Sequence, residues 1–310
     1  MIKMASYVVT GGAGFIGTNI VEELIKRGQE VKVIDDLSTG KRSNLKDFMS
    51  DITFVKGSIM NYSLLKKEFQ GFDYVLHQAA DVSVQSSVKN PSGTAKTNVL
   101  GTINVLKAAK DAGVKRVVLA SSCAVYGEYP TAVNENTPLK PLSPYAVTKS
   151  SAESFAKLYN ELYGLETVCL RYFNVFGPRQ DDKADYSAVI PKFIKIIKGR
   201  RRPTIFGDGF QSRDFVYVSN VVEACLLACT KQGVSGKIYN IGTGISTDLN
   251  SLVKHLNKIL EKSMEPKYEE QRAGDIMNSK ANIGLARKEL GYFPKVDMVG
   301  GLRRTVEFNK

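Results

Sequence analysis

The chain has 310 residues, of which 43% are hydrophobic and 24% charged, a composition typical of a globular protein with one large domain or two closely joined domains. No apolar run is long enough to span a membrane and the first residues lack the apolar core of a signal peptide, so we expect neither a spanning helix nor secretion. The two histidines, and four cysteines without metal-ligand spacing, favour a reducing, cytoplasmic setting and argue against a metal site.

The formal net charge of +12 suits either a nucleic acid or an anionic small molecule. The basic residues are dispersed along the chain, and the longest basic run is only Arg200, Arg201 and Arg202. The sequence has no stripe of basic residues interleaved with aromatic residues, which a nucleic-acid groove would require. We therefore predict a small anionic substrate, with no nucleic acid and no membrane among the partners.

Strands and helices alternate through the first half of the chain. Short apolar runs rich in β-branched residues predict strands, and longer amphipathic runs predict helices. The predicted strands are 7–10, 30–36, 54–58, 73–80 and 116–122, and the predicted helices are 15–28 and 97–113. This alternation predicts an α/β fold with a doubly wound parallel sheet, whose nearly continuous apolar strands are buried on both faces.

The pattern changes after about residue 173. Loops rich in Gly, Pro, Arg and Asp replace the regular alternation, and one helix is predicted at 188–199. Cys225 and Cys229 lie four residues apart in the apolar run VVEACLLACT, which indicates a buried helix rather than a metal site. We expect this part of the chain to form a smaller and less regular unit.

The segment TGGAGFIG at 10–17 follows the first predicted strand and opens the first predicted helix. Its glycines fit a GxxGxxG pattern at Gly11, Gly14 and Gly17, and equally a GxGxxG pattern that starts at Gly12. Glycines at these places permit a tight turn and let the backbone approach a pyrophosphate at the N-terminus of a helix. A structural turn without a ligand is the alternative.

The next strand ends in Asp35, near the offset of about 20 residues that follows such a glycine motif in dinucleotide-binding proteins. A carboxylate there bonds the 2′-hydroxyl of a ribose and repels a 2′-phosphate, so the sequence favours NAD over NADP. Phe15 and Ile16, at the start of the helix, complete this part of the predicted cofactor site.

The segment SPYAVTK at 143–149 places Tyr145 and Lys149 four residues apart, on one face of a helix. An ammonium one turn from a phenol lowers the pKa of the phenol and makes it a better base. The spacing alone is weak evidence, because Tyr62 and Lys66 in YSLLK repeat it. Two surface residues of an ordinary helix are the alternative, and the surrounding motifs must decide.

Further motifs follow one another along the whole chain. They are HQAAD (77–81), TNVLGT around Asn98, SSCAVYG (121–127), RYFNVFGPRQ (171–180), GDGFQSRDFVYV (207–218), YNIGTG (239–244) and RAGD (272–275). With them, essentially the whole chain resembles the extended short-chain dehydrogenase/reductase family and, within it, the nucleotide-sugar 4-epimerases. The resemblance implies a Rossmann-like NAD-binding domain at 1–172, rejoined by about 214–242, and a smaller nucleotide-sugar domain from 173–213 and 243–310.

The resemblance assigns catalysis to Ser122, Tyr145 and Lys149. Tyr145 is expected to take the proton of a sugar 4-hydroxyl while a hydride leaves C4 for NAD, with its pKa lowered by Lys149 and by oxidised nicotinamide. Ser122 relays that proton or bonds the developing 4-oxo oxygen, and Lys149 also bonds the nicotinamide ribose. Tyr62 has no such serine nearby, and we interpret it as a helix-surface residue.

The resemblance also assigns the remaining binding residues. The further cofactor residues are Ser58, Ala79, Ala80 and Asn98. The implied substrate residues are Ser122, Asn174, Val189, Arg213, Arg272, Asp275 and Ser279. Asn174 and the arginines are expected to hold a nucleotide diphosphate, and the segment that contains Val189 packs a uracil. Ser58 stands where family members commonly carry Asp, so one adenine contact differs in this chain.

Two positions distinguish an epimerase from related lyases. Sugar-nucleotide 4,6-dehydratases resemble this chain but carry an Asp-Glu pair directly after the catalytic hydroxyl residue, and glucuronate decarboxylases carry Glu in the second place. Here the positions hold Cys123 and Ala124, which favours epimerisation. Ser279 stands where epimerases restricted to plain hexoses carry Tyr, so we expect N-acetylated UDP-hexoses as substrates beside UDP-glucose and UDP-galactose.

Two other functions stay open on the same fold, because one fold hosts many functions. One is a lyase, either a sugar-nucleotide dehydratase or a UDP-glucuronate decarboxylase. The other is a sensor that binds NAD without catalysis. The resemblance further implies a homodimer, and it leaves open which sugar is the physiological substrate.

Overall fold

The computed structural model describes residues 5–181, 188–271 and 276–308. The strands, in chain order, are β1 (Ser6–Thr10), β2 (Glu30–Asp35), β3 (Thr53–Lys56), β4 (Tyr74–His77), β5 (Arg116–Ser122), β6 (Glu166–Tyr172), β7 (Asn174–Phe176), β8 (Thr204–Phe206), β9 (Ser212–Arg213), β10 (Phe215–Tyr217), β11 (Lys237–Ile241), β12 (Thr247–Asp248), β13 (Lys267–Glu269) and β14 (Asn278–Ser279). The α-helices are α1 (Phe15–Lys26), α2 (Tyr62–Glu68), α3 (Val84–Lys89), α4 (Pro91–Ala95), α5 (Gly101–Ala112), α6 (Pro144–Tyr163), α7 (Val189–Lys198), α8 (Val218–Thr230), α9 (Leu249–Leu260) and α10 (Met298–Phe308). Within these three ranges, no helix has the length and apolarity needed to cross a membrane.

Seven strands form one parallel sheet, in the order β11-β6-β5-β4-β1-β2-β3. Consecutive residues of these strands enter two different apolar clusters, because side chains alternate across a strand. Val9 and Val33 pack in a cluster with apolar residues of α1 and α8, whereas Val8 and Ile34 pack in a cluster with those of α2 and α5. Helices therefore cover both faces of the sheet, which confirms the predicted doubly wound α/β fold.

Two predicted elements differ from the observed ones by more than two residues at one end. The strand predicted at 73–80 ends at His77, because the chain then turns toward the glycine segment, and the Gln78 N–H donates to the Thr10 carbonyl (3.0 Å). The helix predicted at 97–113 is a longer helical segment that starts with α4, passes through a π-helical turn at Lys96–Leu100 and continues as α5. Both differences occur at the edge of the sheet where the candidate site lies.

The remaining strands of the described residues form small sheets. β7 pairs with β10, β8 pairs with β13, and β9 pairs with both β12 and β14. Segments far apart in the chain are thereby brought together next to α7 and α9. The proposed domain boundaries stay a prediction: β11 lies in the main sheet beside β6, whereas β10 pairs with β7 outside it.

Candidate active site

The turn between β1 and α1 leaves no room for side chains. Gly11 has a φ of +68°, and a Cβ added to it would lie 2.6 Å from the backbone nitrogen of Ala79. A Cβ at Gly17 would lie 2.2 Å from the carbonyl oxygen of Gly11. Gly14 is the N-cap residue of α1 and has no side chain to cap it, so the first N–H groups of the helix can bind an anion. The turn therefore fits a pyrophosphate.

Asp35 ends β2 beside this turn and is buried. Its carboxylate accepts hydrogen bonds from the backbone N–H groups of Ala13 (2.9 Å) and Leu37 (2.8 Å). Burial raises the pKa of this carboxyl, and the two N–H groups oppose the rise. The oxygens keep further lone pairs that can accept from a ribose hydroxyl. Phe15 and Ile16, the first residues of α1, are half-buried.

Three of the other predicted cofactor residues lie just beyond the ends of neighbouring strands. Ala79 and Ala80 follow β4, and Ala79 is the residue that contacts the glycine turn. Ser58 follows β3, and its hydroxyl accepts a hydrogen bond from the Met60 N–H (3.3 Å). Because carboxyl ends of parallel strands meet at one edge of a sheet, these residues lie on the same edge as the glycine turn.

Asn98 is buried in the π-helical turn before α5, a type of turn that is frequent at functional sites. Its side chain accepts from the Asp81 N–H (2.8 Å) and donates to the Asp81 carbonyl (2.8 Å). It also donates to the hydroxyl of Thr148 on α6 (3.1 Å). Asn98 therefore fixes the loop after β4 against the helix that carries Tyr145.

The segment SPYAVTK begins α6. Ser143 is the N-cap residue, its hydroxyl accepts from the Ala146 N–H (3.2 Å), and Pro144 occupies the first helical turn. These two residues set where the helix starts, and hence which side chains face the sheet. Tyr145 and Lys149 are both buried on that side.

Ser122, Tyr145 and Lys149 come together at the carboxyl end of β5. The Ser122 hydroxyl lies close enough to the Tyr145 phenol to lower its pKa. The Lys149 Nζ donates to the Ala120 carbonyl (2.8 Å) and lies 5.9 Å from the centroid of the Tyr145 ring. The fold thus brings together the three residues to which the resemblance assigns catalysis.

Burial is the main influence on the protonation of this cluster in the protein alone. Burial raises the pKa of Tyr145 to about 12, the hydrogen bond with Ser122 opposes the rise, and Cys123 and Asp81 add to it. Burial also lowers the pKa of Lys149 to about 8. In the protein alone the pKa of the phenol is raised, because desolvation of a phenolate outweighs the hydrogen bond that opposes it; the predicted lowering by Lys149 together with oxidised nicotinamide stays a prediction. A further positive charge is needed.

The second YxxxK match has a different environment. Tyr62 is the first residue of α2, and its hydroxyl donates to the carboxylate of Asp111 on α5 (2.5 Å). The Lys107 Nζ lies 3.9 Å from the centroid of the Tyr62 ring. Tyr62 is half-buried and packs α2 against α5, a structural role away from the strand ends.

A cavity of about 390 Å³ lies between α7 and the small sheets, a size within the range of ligand pockets. Three predicted substrate residues line it: Asn174 of β7, Val189 of α7 and Arg213 of β9. Its wall also includes residues that the sequence analysis did not single out, among them Thr204, Phe206, Gln211 and Phe215. Arg272 and Asp275, two further predicted substrate residues, lie outside the described residues.

Two buried acceptor atoms in this cavity have no hydrogen-bond partner among the described residues: Oδ1 of Asn174 and Oε1 of Gln211. The Gln211 amide donates to the Phe206 carbonyl (2.6 Å), and the Arg213 Nη1 donates to the Ser212 carbonyl (2.9 Å). Buried polar atoms without partners are rare in proteins, so both residues are candidates for a polar contact that the described residues do not supply. Gln211 was missed, although its spacing of two from Arg213 placed both on one side of an extended segment.

Ser279 lies beside one residue of the cavity wall and one neighbour of the catalytic cluster. It is on β14, directly opposite Arg213 of β9. Its hydroxyl is 4.0 Å from the Sγ of Cys123, which follows Ser122 in the chain. Burial raises the pKa of the Cys123 thiol to about 11, so the thiol is neutral at pH 7.

Comparison with known proteins agrees with this geometry. Residues 7–242 match the NAD dependent epimerase/dehydratase family. A protein of Methanocaldococcus jannaschii named putative UDP-glucose 4-epimerase is 41% identical over 307 residues, with 98% of each chain covered. The solved structure of UDP-N-acetylglucosamine 4-epimerase from Methanobrevibacter ruminantium M1, in complex with UDP-N-acetylmuramic acid, has a TM-score of 0.95 at 40% identity and 99% coverage of both chains. A UDP-N-acetyl-alpha-D-glucosaminuronate decarboxylase of Bacillus cytotoxicus is 32% identical over 314 residues, covering 97% of this chain and 96% of that relative.

The matched residues include the glycine turn, the catalytic cluster and β11. The similarity at 40% identity extends over nearly the whole chain, including the small sheets beyond the matched range. The glycine turn and the buried Asp35 fit NAD, the cofactor that the family description names. The chain therefore belongs to the NAD dependent epimerase/dehydratase family.

Proposed function

We propose that this protein is an NAD-dependent UDP-hexose 4-epimerase. It interconverts UDP-glucose with UDP-galactose, and UDP-N-acetylglucosamine with UDP-N-acetylgalactosamine, through a 4-keto intermediate. The observation that carries the proposal is that Ser122, Tyr145 and Lys149 meet at the end of β5. Ser122 is followed in the chain by Cys123 and Ala124. A thiol with a raised pKa and a methyl group provide no acid–base pair for elimination of water, so return of the hydride is the favoured outcome.

The relatives support the reaction class only in part. Two relatives at about 40% identity are named 4-epimerases of UDP sugars. A third relative, at 32% identity over nearly the whole chain, is named a decarboxylase. Family membership is thus compatible with both reactions, and the residues that follow Ser122 support the epimerase.

When bound, NAD accepts the hydride from C4 of the sugar and returns it to the opposite face. The residues that would hold NAD are Gly11, Gly14, Phe15, Ile16, Gly17, Asp35, Ser58, Ala79, Ala80 and Asn98. Tyr145, in its phenolate form, takes the proton of the 4-hydroxyl at its oxygen and becomes a phenol, and Ser122, which lies next to it, shares or relays the proton. Lys149 is largely an ammonium at neutral pH, since its pKa is about 8, and its charge favours the phenolate.

The substrate half would hold the nucleotide while the sugar turns. Asn174 and Arg213 offer an amide and a guanidinium to the diphosphate, and the segment that contains Val189 packs the uracil. Firm contacts to the nucleotide leave the 4-keto sugar free to present either face. Ser279, which lies beside Cys123, is a small residue, and we expect it to leave room for a 2-acetamido group when a sugar is bound.

Turnover assays with the four UDP sugars, with the products resolved, test this proposal. We expect each sugar to be converted to its C4 epimer, with NAD required in catalytic amounts and no net formation of NADH. A 4-keto-6-deoxy sugar, or a product that has lost a carboxyl group from a UDP-uronic acid, would assign the protein to the lyases. Tight NAD binding without turnover of any sugar would assign it to the sensors.

We also propose that the protein is a homodimer. Val147, Leu158 and Leu162 are exposed on one side of α6, and Leu100, in the neighbouring π-helical turn, is exposed as well. Contiguous exposed apolar surface of this kind is typical of a protein interface. Light scattering should give twice the mass of 34.1 kDa, and Leu158→Glu should convert the protein to a monomer. A wild type that is monomeric at all concentrations would contradict this proposal.

A further inference from the structure

A buried ion pair lies one helical turn beyond Lys149. Glu153 of α6 and Arg171 of β6 are each 4% exposed at the side chain. The guanidinium donates to both carboxylate oxygens, at 2.9 Å from Nε and 2.7 Å from Nη2. A buried pair of this kind is not by itself a reason for high stability, because the cost of desolvation offsets the attraction. Its position next to the catalytic cluster points to a second role.

The pair is connected to the cluster through the end of β5. The Ser121 hydroxyl donates to the Glu153 carboxylate, and Ser121 is the residue before Ser122. In the sheet, Ser121 lies directly opposite Arg171. The Arg171 Nη1 also donates to the hydroxyl of Tyr126 (2.8 Å), in the turn that follows Ser122. The ion pair thus holds the chain on both sides of Ser122.

Glu153 is the negatively charged group among the residues around Lys149. The titratable groups that contact Lys149 or interact with its charge are Tyr145 and Glu153 of α6, Cys169 of β6 and His77 of β4. The cation Arg171 of β6 is paired with Glu153 and also lowers the pKa of Cys169. Burial raises the pKa of the phenol and of the Cys169 thiol, so both are neutral at pH 7. Burial, together with the charge of Lys149, lowers the pKa of His77 to about 3, so the imidazole is neutral too. Glu153 is the anion of this group.

We propose that Glu153 is a positioning residue of the active site, whose carboxylate keeps Lys149 in its ammonium form and fixes the strand end that presents Ser122. The role of those two residues in turnover rests on the proposed function. Glu153 acts on Lys149 through space, because Arg171 and Ser121 take its oxygens while the Lys149 Nζ is bonded to the Ala120 carbonyl. Because the Lys149 ammonium is stabilised by Glu153 without forming an ion pair with it, its positive charge can still stabilise the phenolate of Tyr145.

Glu153→Gln tests the proposal, because it removes the charge and keeps the shape. We expect the alkaline limb of the kcat–pH profile to move down by about one pH unit or more, the scale of a nearby opposite charge. In the full chain with NAD added, the ¹³Cε resonance of Lys149, assigned with Lys149→Met, should titrate lower by the same amount. Glu153→Asp keeps the charge and should restore both midpoints.

Glu166→Gln is the control. Glu166 of β6 pairs with Arg116 of β5 (2.6 Å) at the end of these strands opposite to Ser122, and it is the more exposed partner of its pair. Loss of this second arginine–glutamate pair should lower the free energy of unfolding without moving the pH limb or the Lys149 resonance. The comparison separates an effect on charge at the site from an effect on packing between β5 and β6.

If Glu153→Gln moves neither midpoint relative to the Glu166→Gln control, Glu153 is only structural and the proposal is wrong. If Glu153→Gln does not fold, the wild-type titration decides: a Lys149 midpoint at or below pH 7 overturns the proposal, because the ammonium is then not kept at neutral pH, and a midpoint above pH 7 supports it. The titration needs no turnover. Absence of epimerase activity would therefore contradict the proposed function without deciding this inference.

Discussion

Around the glycine turn the site is formed by backbone atoms, whereas around the cavity next to α7 it is formed by side chains. Gly11 and Gly17 lie so close to neighbouring backbone that a single added carbon would overlap it. In the cavity, Asn174 and Arg213 come from two different small sheets. A substitution at either residue would change the shape and polarity of the cavity wall. The difference teaches that the cofactor half is restricted by sterics, while the substrate half can be altered residue by residue.

Among the substitutions considered, Gly17→Ala should weaken NAD binding the most. The new Cβ would lie 2.2 Å from the Gly11 carbonyl oxygen, so the turn must move away from its anion-binding shape. Overpacking of this kind costs about 3 kcal/mol, which corresponds to NAD binding weakened by about 100-fold and to loss of turnover at ordinary NAD concentrations. Calorimetric titration with NAD measures the effect.

Gly28→Ala is the control for this change. Gly28 has a φ of +66° but nothing lies within 4 Å of its added Cβ, so the substitution introduces backbone strain without an overlap. It should lower the free energy of unfolding slightly and leave NAD affinity unchanged. Equal NAD affinities of the two alanine variants would contradict a sterically restricted turn.

Tyr145→Phe acts where the two halves meet and should lower kcat by about 100-fold or more, the scale of general base catalysis. The change removes one hydroxyl from a buried ring and leaves its packing nearly unchanged. Tyr62→Phe is the matched control, since Tyr62 has the same YxxxK spacing but its hydroxyl donates to Asp111 of the neighbouring helix. Normal turnover by Tyr145→Phe would exclude the proposed base.

The same contrast explains how much of the molecule could be predicted from the sequence. The sheet, the glycine turn and the start of α6 follow from local patterns: apolar strands, glycines, and the Ser143–Pro144 cap. The motifs also named the residues that meet at β5. Their protonation could not be predicted, because the pKa of Tyr145 depends on burial by the whole fold. The contribution of Gln211 to the cavity was likewise missed, because the small sheets assemble from distant segments.

Lys149→Met tests how much free energy the burial of the Lys149 ammonium costs. The pKa of Lys149 is lowered from 10.5 to about 8 in the folded protein, so between these values the unfolded chain binds more protons and stability rises with pH. Below pH 8 the wild type bears the full cost of a buried ammonium, about 3 kcal/mol at 1.36 kcal/mol per unit. We expect Lys149→Met to be inactive yet more stable than the wild type by that amount at pH 7.

Urea unfolding at pH 7 and pH 10 tests this prediction. The advantage of Lys149→Met should shrink at pH 10, where the wild-type lysine is already neutral in the folded state. A variant that is less stable than the wild type at pH 7 would show that contacts of the ammonium, such as its hydrogen bond to the Ala120 carbonyl, outweigh its desolvation.

Ser279→Tyr should change the substrate half without affecting the cofactor half. Ser279 lies opposite Arg213 and 4.0 Å from the Cys123 Sγ, so a tyrosine there would fill the space that a 2-acetamido group needs. Overfilling a packed site costs about 1–3 kcal/mol, which corresponds to roughly 10- to 100-fold in kcat/KM for N-acetylated sugars. UDP-glucose and UDP-galactose should lose little, because they carry only a hydroxyl at that position.

Ser279→Ala provides the control, since it keeps the space and removes the hydroxyl. If the serine only provides room, the alanine variant retains turnover of both sugar classes; if its hydroxyl bonds the amide, the N-acetylated sugars alone lose activity by several-fold. An equal loss for both classes in Ser279→Tyr would mean that Ser279 does not control the choice of sugar. A wild type inactive on N-acetylated sugars would place the restriction elsewhere in the wall, where the neutral thiol of Cys123 is the nearest candidate.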